Sequence, residues 1–404
     1  MFGRIQKTIF FLLVFFLSFQ VGFHFWPNFS YVSGVRIDYL SPTLYLLDIL
    51  IFLFILSSLP EILKTKIDFQ KSNFIKAAFI LFLLDVILNI FLSKSQGAHI
   101  FGLIKLVEFG IFGWLVSRTF EKKDITIFVR TLAFSAIVSS VLAIWQFLNQ
   151  SSVGGLWYFL GERAFNSSTI GISTVNLNSQ ILRAYGAFPH PNVLAFFFLA
   201  TTVFTVLRLP YEKSSGWKIF LMIAIVLSIG GLMVTFSRIS IFLGVIFFLY
   251  YFLRQVAARV RMVSLGVLSG ILTGLGILGF FGWFGNWGIV QFLLRGIDFR
   301  EELFTQSLKI FSENPYFGIG LNNFFINQVP LIKTISPINF QPPHNIFVMA
   351  LLSFGLFGFL IFPTIFILAF RSISKKLRTT NLVLQSFNKS ILFVLVSVVV
   401  VGMF

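Results

Sequence analysis

The stretch WKIFLMIAIVLSIGGLMVTFSRISIFLGVIFFLYYFL, residues 217–253, decides the fold. Two apolar runs, 217–235 and 239–253, meet there at the link Thr235-Phe236-Ser237-Arg238. A hydrocarbon layer about 30 Å thick needs about 20 apolar residues to be crossed by a helix. The link is too short to reach far into water, so it sets Arg238 at the membrane boundary. Similar runs extend in both directions, at 8–25, 39–59, 73–92, 99–117, 125–148, 192–209, 262–281, 345–370 and 390–404. The sequence therefore predicts an all-α polytopic membrane protein, a single domain over 1–404 with about eleven transmembrane helices.

Composition points the same way. Of 404 residues, 57% are apolar and 11% charged, with a mean hydropathy of +0.92. Soluble domains carry about 25% charged residues. A soluble enzyme is excluded, and so is a cysteine-stapled scaffold, because the chain has no Cys. The net charge of +17 would suggest a nucleic-acid partner in a soluble protein. Here the basic residues gather in short loops between spans, so no nucleic acid is expected. The first run follows Arg4 and Lys7 as in a signal peptide, but Trp26-Pro27-Asn28 offers no small-residue cleavage site. A retained signal anchor is expected.

Charge also sets the orientation. With the N-terminus inside, the inner segments hold 20 Lys and Arg and the outer ones nine, although the outer loops are longer. Two of those outer loops, 149–191 and 282–344, are long enough to carry function. The second contains an amphipathic stretch, 301–312, with Leu303, Phe304, Ser307, Leu308 and Phe311 on one face, and Asn314-Pro315 ends it. Such a helix lies on the membrane or roofs a cavity.

Among candidate motifs, Gly274-Leu-Gly276-Ile-Leu-Gly279 matches the dinucleotide pattern only by accident, since it lies in a span with no strand before it. Gly270 and Gly274 suit close helix contact. No metal-binding motif is found, and no metal or cofactor is expected. Asp48, Asp85, Lys105 and Glu108 fall inside spans, where ionisable groups are costly and suggest an ion path or internal pairing. Lys105 and Glu108, three apart, can pair on one helix face.

The outer face carries more. Arg183-Ala-Tyr-Gly-Ala-Phe-Pro-His190-Pro-Asn192 leads into one span, and Pro342-Pro343-His344-Asn345 into another. Between them lie Arg238, Arg300 and the turn-rich Asn314-Pro-Tyr-Phe-Gly318-Ile-Gly320-Leu-Asn322-Asn323-Phe. All four histidines, at 24, 99, 190 and 344, fall at outer span ends or in outer loops. Each has a bland account, since an interfacial Arg snorkels and a loop His is solvated. Arginines on the outer side nonetheless oppose the usual bias. A guanidinium fork suits phosphate, and a histidine can take a proton from a hydroxyl at neutral pH. Together they suit transfer from a lipid-linked diphosphate to an alcohol. A flippase or transporter of lipid-linked glycans is the alternative, and would place essential groups such as Asp85 at mid-depth.

At these stretches the sequence resembles the O-antigen ligase and polymerase superfamily of bacterial polysaccharide assembly. The matching pieces are Arg183 with Gly186-Ala-Phe188 and His190-Pro-Asn192, then Phe236-Ser-Arg238. Arg300 with Asn314-Pro315 and Gly318-Ile-Gly320-Leu-Asn-Asn-Phe follows, and then His344-Asn345 with Gly355-Leu-Phe-Gly358. Their order matches over about residues 125–370. The family commonly has about twelve spans. The resemblance implies a GT-C-like, metal-independent, inverting glycosyltransferase of the cytoplasmic membrane, acting on its outer face in lipopolysaccharide or other envelope polysaccharide synthesis. The donor would be an undecaprenyl-diphosphate glycan and the acceptor a hydroxyl of a glycan, lipid or protein. By position, His344 would activate the acceptor while Arg183 and Arg238 hold the diphosphate. Arg300, His190, Asn192, Gly318, Gly320, Asn322 and Asn345 would line or shape the substrate site.

Overall fold

The computed structural model describes residues 3–64, 73–176, 180–257, 297–336 and 339–402. The expected span 262–281, with its glycine pattern, and the first part of the second long loop lie outside them. Helices dominate what is described. They are α1 (Arg4–Phe16), α2 (Leu46–Ser57), α3 (Leu59–Lys64), α4 (Asn73–Leu92), α5 (Gln96–Thr119), α6 (Asp124–Asn149) and α7 (Leu156–Phe159). Next come α8 (Pro191–Arg208), α9 (Ser215–Val234), α10 (Arg238–Ala257), α11 (Ile297–Glu313), α12 (Phe324–Gln328), α13 (Ile346–Phe359), α14 (Ile361–Lys376) and α15 (Leu382–Gly402).

Among the described residues, α5, α6, α8, α9 and α15 are long and apolar enough to cross a membrane singly. The pair α13 and α14 passes only when taken together. This is a mostly helical, multi-pass membrane protein, and three expected spans need correcting. The run 8–25 is helical only to Phe16, and 13 residues rise about 20 Å, short of a crossing. Beyond it, Gly22–His24 (β1) pairs antiparallel with Thr43–Tyr45 (β4), so the run 39–59 is helical only from Leu46. Residues in between form a hairpin, Tyr31–Val32 (β2) with Val35–Arg36 (β3). Ser33 and Gly34, both at positive φ, turn it as a two-residue hairpin requires. The run 345–370 is not straight either, because α13 and α14 meet at 88°.

Small residues let the central helices close up. Ala133, Ala136, Ser140 and Ala143 lie buried along α6, as at membrane helix interfaces generally. A side chain at Gly231 of α9 would strike the Phe198 ring of α8 at 2.6 Å. This core, built from α1, α2, α6, α8 and α9, continues through Phe247 of α10 against Phe393 of α15. A second core joins Val32, Ile37 and Leu40 to Ile310, Ile319, Phe324 and Leu352, so the β2–β3 hairpin packs on the segment that follows α11.

The amphipathic stretch is helical a little beyond its expected bounds, but its buried face differs. Leu303, Gln306, Ser307 and Ile310 face inward while Phe304 and Leu308 are exposed. The inward set keeps a strict three- and four-residue spacing at the cost of one buried amide, and Gln328 Nε2 satisfies it by donating to Gln306 Oε1 at 2.8 Å.

Candidate active site

At one end of the bundle Arg183 is fixed from several directions. Its Nε donates to the Thr235 carbonyl at 2.7 Å, its Nη2 to Asn192 Oδ1 at 2.6 Å, and its backbone N–H to Ser173 O. Ala184 N–H donates to Val234 O at 3.0 Å. The loop that carries Arg183 is thus joined to the link that sets Arg238. That link turns through Phe236 at φ +51°, an uncommon conformation for a bulky residue. Thr235 supports it, its Oγ1 donating to Leu232 O and accepting from Ser237 N–H.

His190 caps α8. Its Nδ1 accepts from the Asn192 N–H at 3.1 Å, with Pro191 at the first helical position, where its missing N–H costs nothing. Three of the expected residues, Arg183, His190 and Asn192, therefore form one connected group with the 235–238 link.

A pair that the sequence reading did not single out underlies this group. Gln146, fully buried on α6, uses all four of its hydrogen-bonding positions. Its Nε2 donates to Glu162 Oε1 at 2.7 Å and to Gly186 O at 2.9 Å, and its Oε1 accepts from Tyr185 and Gly186 N–H groups. Glu162, also buried, accepts from the Val153 and Gly154 N–H groups. A Gln in the last turn of the expected span was the available signal.

Gly318, Gly320 and Asn322 form a second group, and their immediate surroundings are protein. Helix α13 breaks at Gly355, at φ +57°. There Leu352 and Ser353 offer their carbonyls to Ile319 and Gly320 N–H, while Leu356 and Phe357 N–H donate to Pro315 and Tyr316 O. The broken helix exchanges its own hydrogen bonds for bonds to 315–320. Backbones meet so closely that a Cβ at Gly318 would fall on the Leu352 carbonyl and one at Gly355 on Tyr316.

Gly320 faces α4 and α5 instead, where a Cβ would lie 2.8 Å from Ser93 Cβ and 3.0 Å from His99 Nδ1. His99 is fully buried. Its Nδ1 accepts from Leu321 N–H and its Nε2 donates to Val86 O, which defines the neutral Nε2–H tautomer. Asn89 donates to Phe317 O, Asn322 to Ala98 O, and Asn323 exchanges bonds with Ser95.

His344 and Asn345 open α13. His344 is exposed, and Asn345 caps the helix by accepting from the Phe347 and Val348 N–H groups. Ile346 packs on Gly402 at the end of α15. Helix α15 in turn lies against α8, whose N-terminus belongs to the Arg183 group. Arg300 lies on α11, and its side chain is outside the described residues.

The ionisable residues of the spans divide into two kinds. Lys105 bridges Asp48 at 2.6 Å and Glu108 at 3.1 Å, so internal pairing accounts for three of them. Asp85 differs. It is fully buried against Gly358, and among the described residues neither carboxylate oxygen has a hydrogen-bond partner.

Fold and site together define a multi-pass membrane protein with polar loops pinned over one end of a helix bundle. Residues 223–362, about a third of the chain, match the family model described as O-antigen ligase, and the resemblance to the O-antigen ligase and polymerase superfamily is shown there. A search of curated proteins finds no match. The matched segment holds Arg238, Arg300, Gly318, Gly320, Asn322, His344 and Asn345, while Arg183, His190 and Asn192 lie ahead of it.

Proposed function

We propose that this chain is a glycosyltransferase of the cytoplasmic membrane, moving a glycan from an undecaprenyl-diphosphate carrier to a hydroxyl acceptor at the outer face. The O-antigen ligase match over 223–362 carries this reading. His344 takes the proton of the acceptor hydroxyl as its oxygen attacks the anomeric carbon. The bond from that carbon to the carrier diphosphate breaks with inversion, and undecaprenyl diphosphate leaves. Arg183 and Arg238 hold the diphosphate and stabilise the charge that grows on it, as a rigid guanidinium fork does well.

Arg300 and the 318–323 stretch shape the site, and His190, Asn192 and Asn345 orient its walls. Two observations support these roles. The Arg183 loop is bonded to the link before Arg238, and His344 is exposed at the start of its helix, where an acceptor can reach it.

The test supplies purified protein in nanodiscs with an undecaprenyl-diphosphate oligosaccharide and EDTA, and reads glycan products and released undecaprenyl diphosphate. A ladder from donor alone identifies a polymerase; a single transfer that needs a separate acceptor identifies a ligase. Normal transfer by His344→Ala would remove the proposed base.

A second reading, transport of lipid-linked glycans, is favoured by Asp85 buried beside a broken helix, the arrangement that transporters use at their ion sites. Loss of function in Asp85→Asn, with His344→Ala intact and donor crossing the vesicle membrane, would select it.

A further inference from the structure

We propose that residues 156–159 are a foot seated in the headgroup–acyl boundary of the leaflet at the Arg183 end of the bundle. The proposal rests on the membrane class of the protein and not on the glycosyl-transfer reading.

Its first support is an apolar stripe. Phe134, Val141, Trp145 and Leu148 are exposed on α6 at spacings of seven, four and three, which is one helix face. On a helix long and apolar enough to span, that face meets lipid. The stripe rises to the end of α6, where Gln150 at φ +52° turns the chain, and Gly154 and Gly155 at positive φ reverse it. Helix α7, Leu156-Trp157-Tyr158-Phe159, follows at once. Leu156 is 81% and Phe159 73% exposed, so a second exposed apolar patch follows just beyond the end of that face.

Composition supplies the second support. Residues 150–161, QSSVGGLWYFLG, contain no charged side chain. Such an exposed patch would be costly in water. Trp and Tyr beside Leu and Phe are what the boundary between headgroups and acyl chains favours.

The foot is also rigidly tied. Gly161 packs so closely on Gln20, just past α1, that a Cβ there would overlap the Gln20 backbone. On the other side, Glu162 holds the Val153 and Gly154 N–H groups and Gln146, and Gln146 holds Tyr185 and Gly186. Arg183 lies two residues before Tyr185. Seating the foot therefore fixes the depth of Arg183 relative to lipid headgroups.

The absence of cysteine makes a direct test practicable. Leu156→Cys, Phe159→Cys and, as a control in the same loop, the exposed Ser167→Cys would each be spin-labelled in nanodiscs of phosphatidylethanolamine and phosphatidylglycerol. Collision rates with oxygen, which concentrates in lipid, and with a water-soluble nickel chelate would then be compared. We expect an oxygen-to-nickel ratio several-fold higher at 156 and 159 than at 167. A ratio at both positions equal to that at 167 would overturn the proposal by placing the foot in water. Low rates with both agents would also overturn it, because a protein surface would then cover the foot. Size-exclusion profiles matching the parent chain confirm that the labelled variants are folded.

Discussion

Two groups of cations, one towards each end of the bundle, are held differently. At the end where α1 begins, carboxylates do the holding: Lys7 meets Asp124 at 2.6 Å, and Arg130 and Arg208 both meet Glu212. Arg130 also lies 4.0 Å from the centre of the Trp217 ring. At the opposite end, Arg183 is held by the Thr235 carbonyl and the Asn192 amide, and Arg163 by the Pro189 carbonyl. A carboxylate cancels the charge it fixes, whereas an amide oxygen orients a guanidinium without cancelling its charge. The first arrangement is suited to holding helices together, and the carbonyl and amide contacts of Arg183 to setting the direction of its guanidinium.

The largest effect that would break this contrast concerns Arg183. Arg183→Ala should lower transfer about 10²–10³-fold, the usual loss when one charge-stabilising donor is removed, and Arg183→Lys should rescue little because an ammonium lacks the planar fork whose Nε and Nη2 make the two bonds. Retained transfer would make Arg183 merely a brace. Next, Gly355→Ala should cost about 4 kcal/mol or more, through forced backbone overlap with Tyr316, read as lost thermal stability in detergent. Gln146→Ala should follow at about 3 kcal/mol, because it strands buried partners at two places in the 149–191 loop.

The carboxylate end should respond to pH. Burial pushes the Glu212 carboxyl up, but hydrogen bonds from Arg130 and from the Ser214 and Lys213 N–H groups outweigh it and hold the group below the usual carboxylate range. A depressed folded value means that the stabilisation is present above the unfolded value of about 4.3. It is lost as pH falls from there through the folded value. Glu212→Gln should thus cost about 1.5–3 kcal/mol at neutral pH, with the gap to the parent chain closing in acid. A gap constant with pH would contradict the ionic account. Smallest, Asn345→Ala should cost about 1 kcal/mol, as loss of a helix cap does.

How much of this was legible depended on what hydropathy can distinguish. Helix α6, expected at 125–148, spans Asp124–Asn149, because a long apolar run in which Arg130 is the one charged residue has one reading. Phe19 to Phe25 and Leu40 to Leu44 lie at the edges of apolar runs, and a window as long as a span averages away their Gln20, His24, Ser41, Pro42 and Thr43, where the chain instead pairs partly as strands. The break at Gly355 was hidden for another reason. Its cause lies in Pro315 to Gly320, more than thirty residues upstream, and no local window contains both halves. At the site, Arg183 and Asn192 were recognisable by residue type and fall together. Gln146 offered only the signal of an amide near the end of a span, and the partners that give it and Glu162 their importance are ones no spacing reveals.

The exchanged hydrogen bonds at Gly355 also make one segment depend on another. The half-helix 346–354 rises only about 14 Å, too short to cross a hydrocarbon layer of about 30 Å by itself. Its bend is hydrogen-bonded to 315–320, which is synthesised earlier. The earlier stretch thus supplies the partners that the later helix lacks at its break, and a chain without 315–320 would leave four backbone hydrogen bonds, those of Ile319, Gly320, Leu356 and Phe357, unmade.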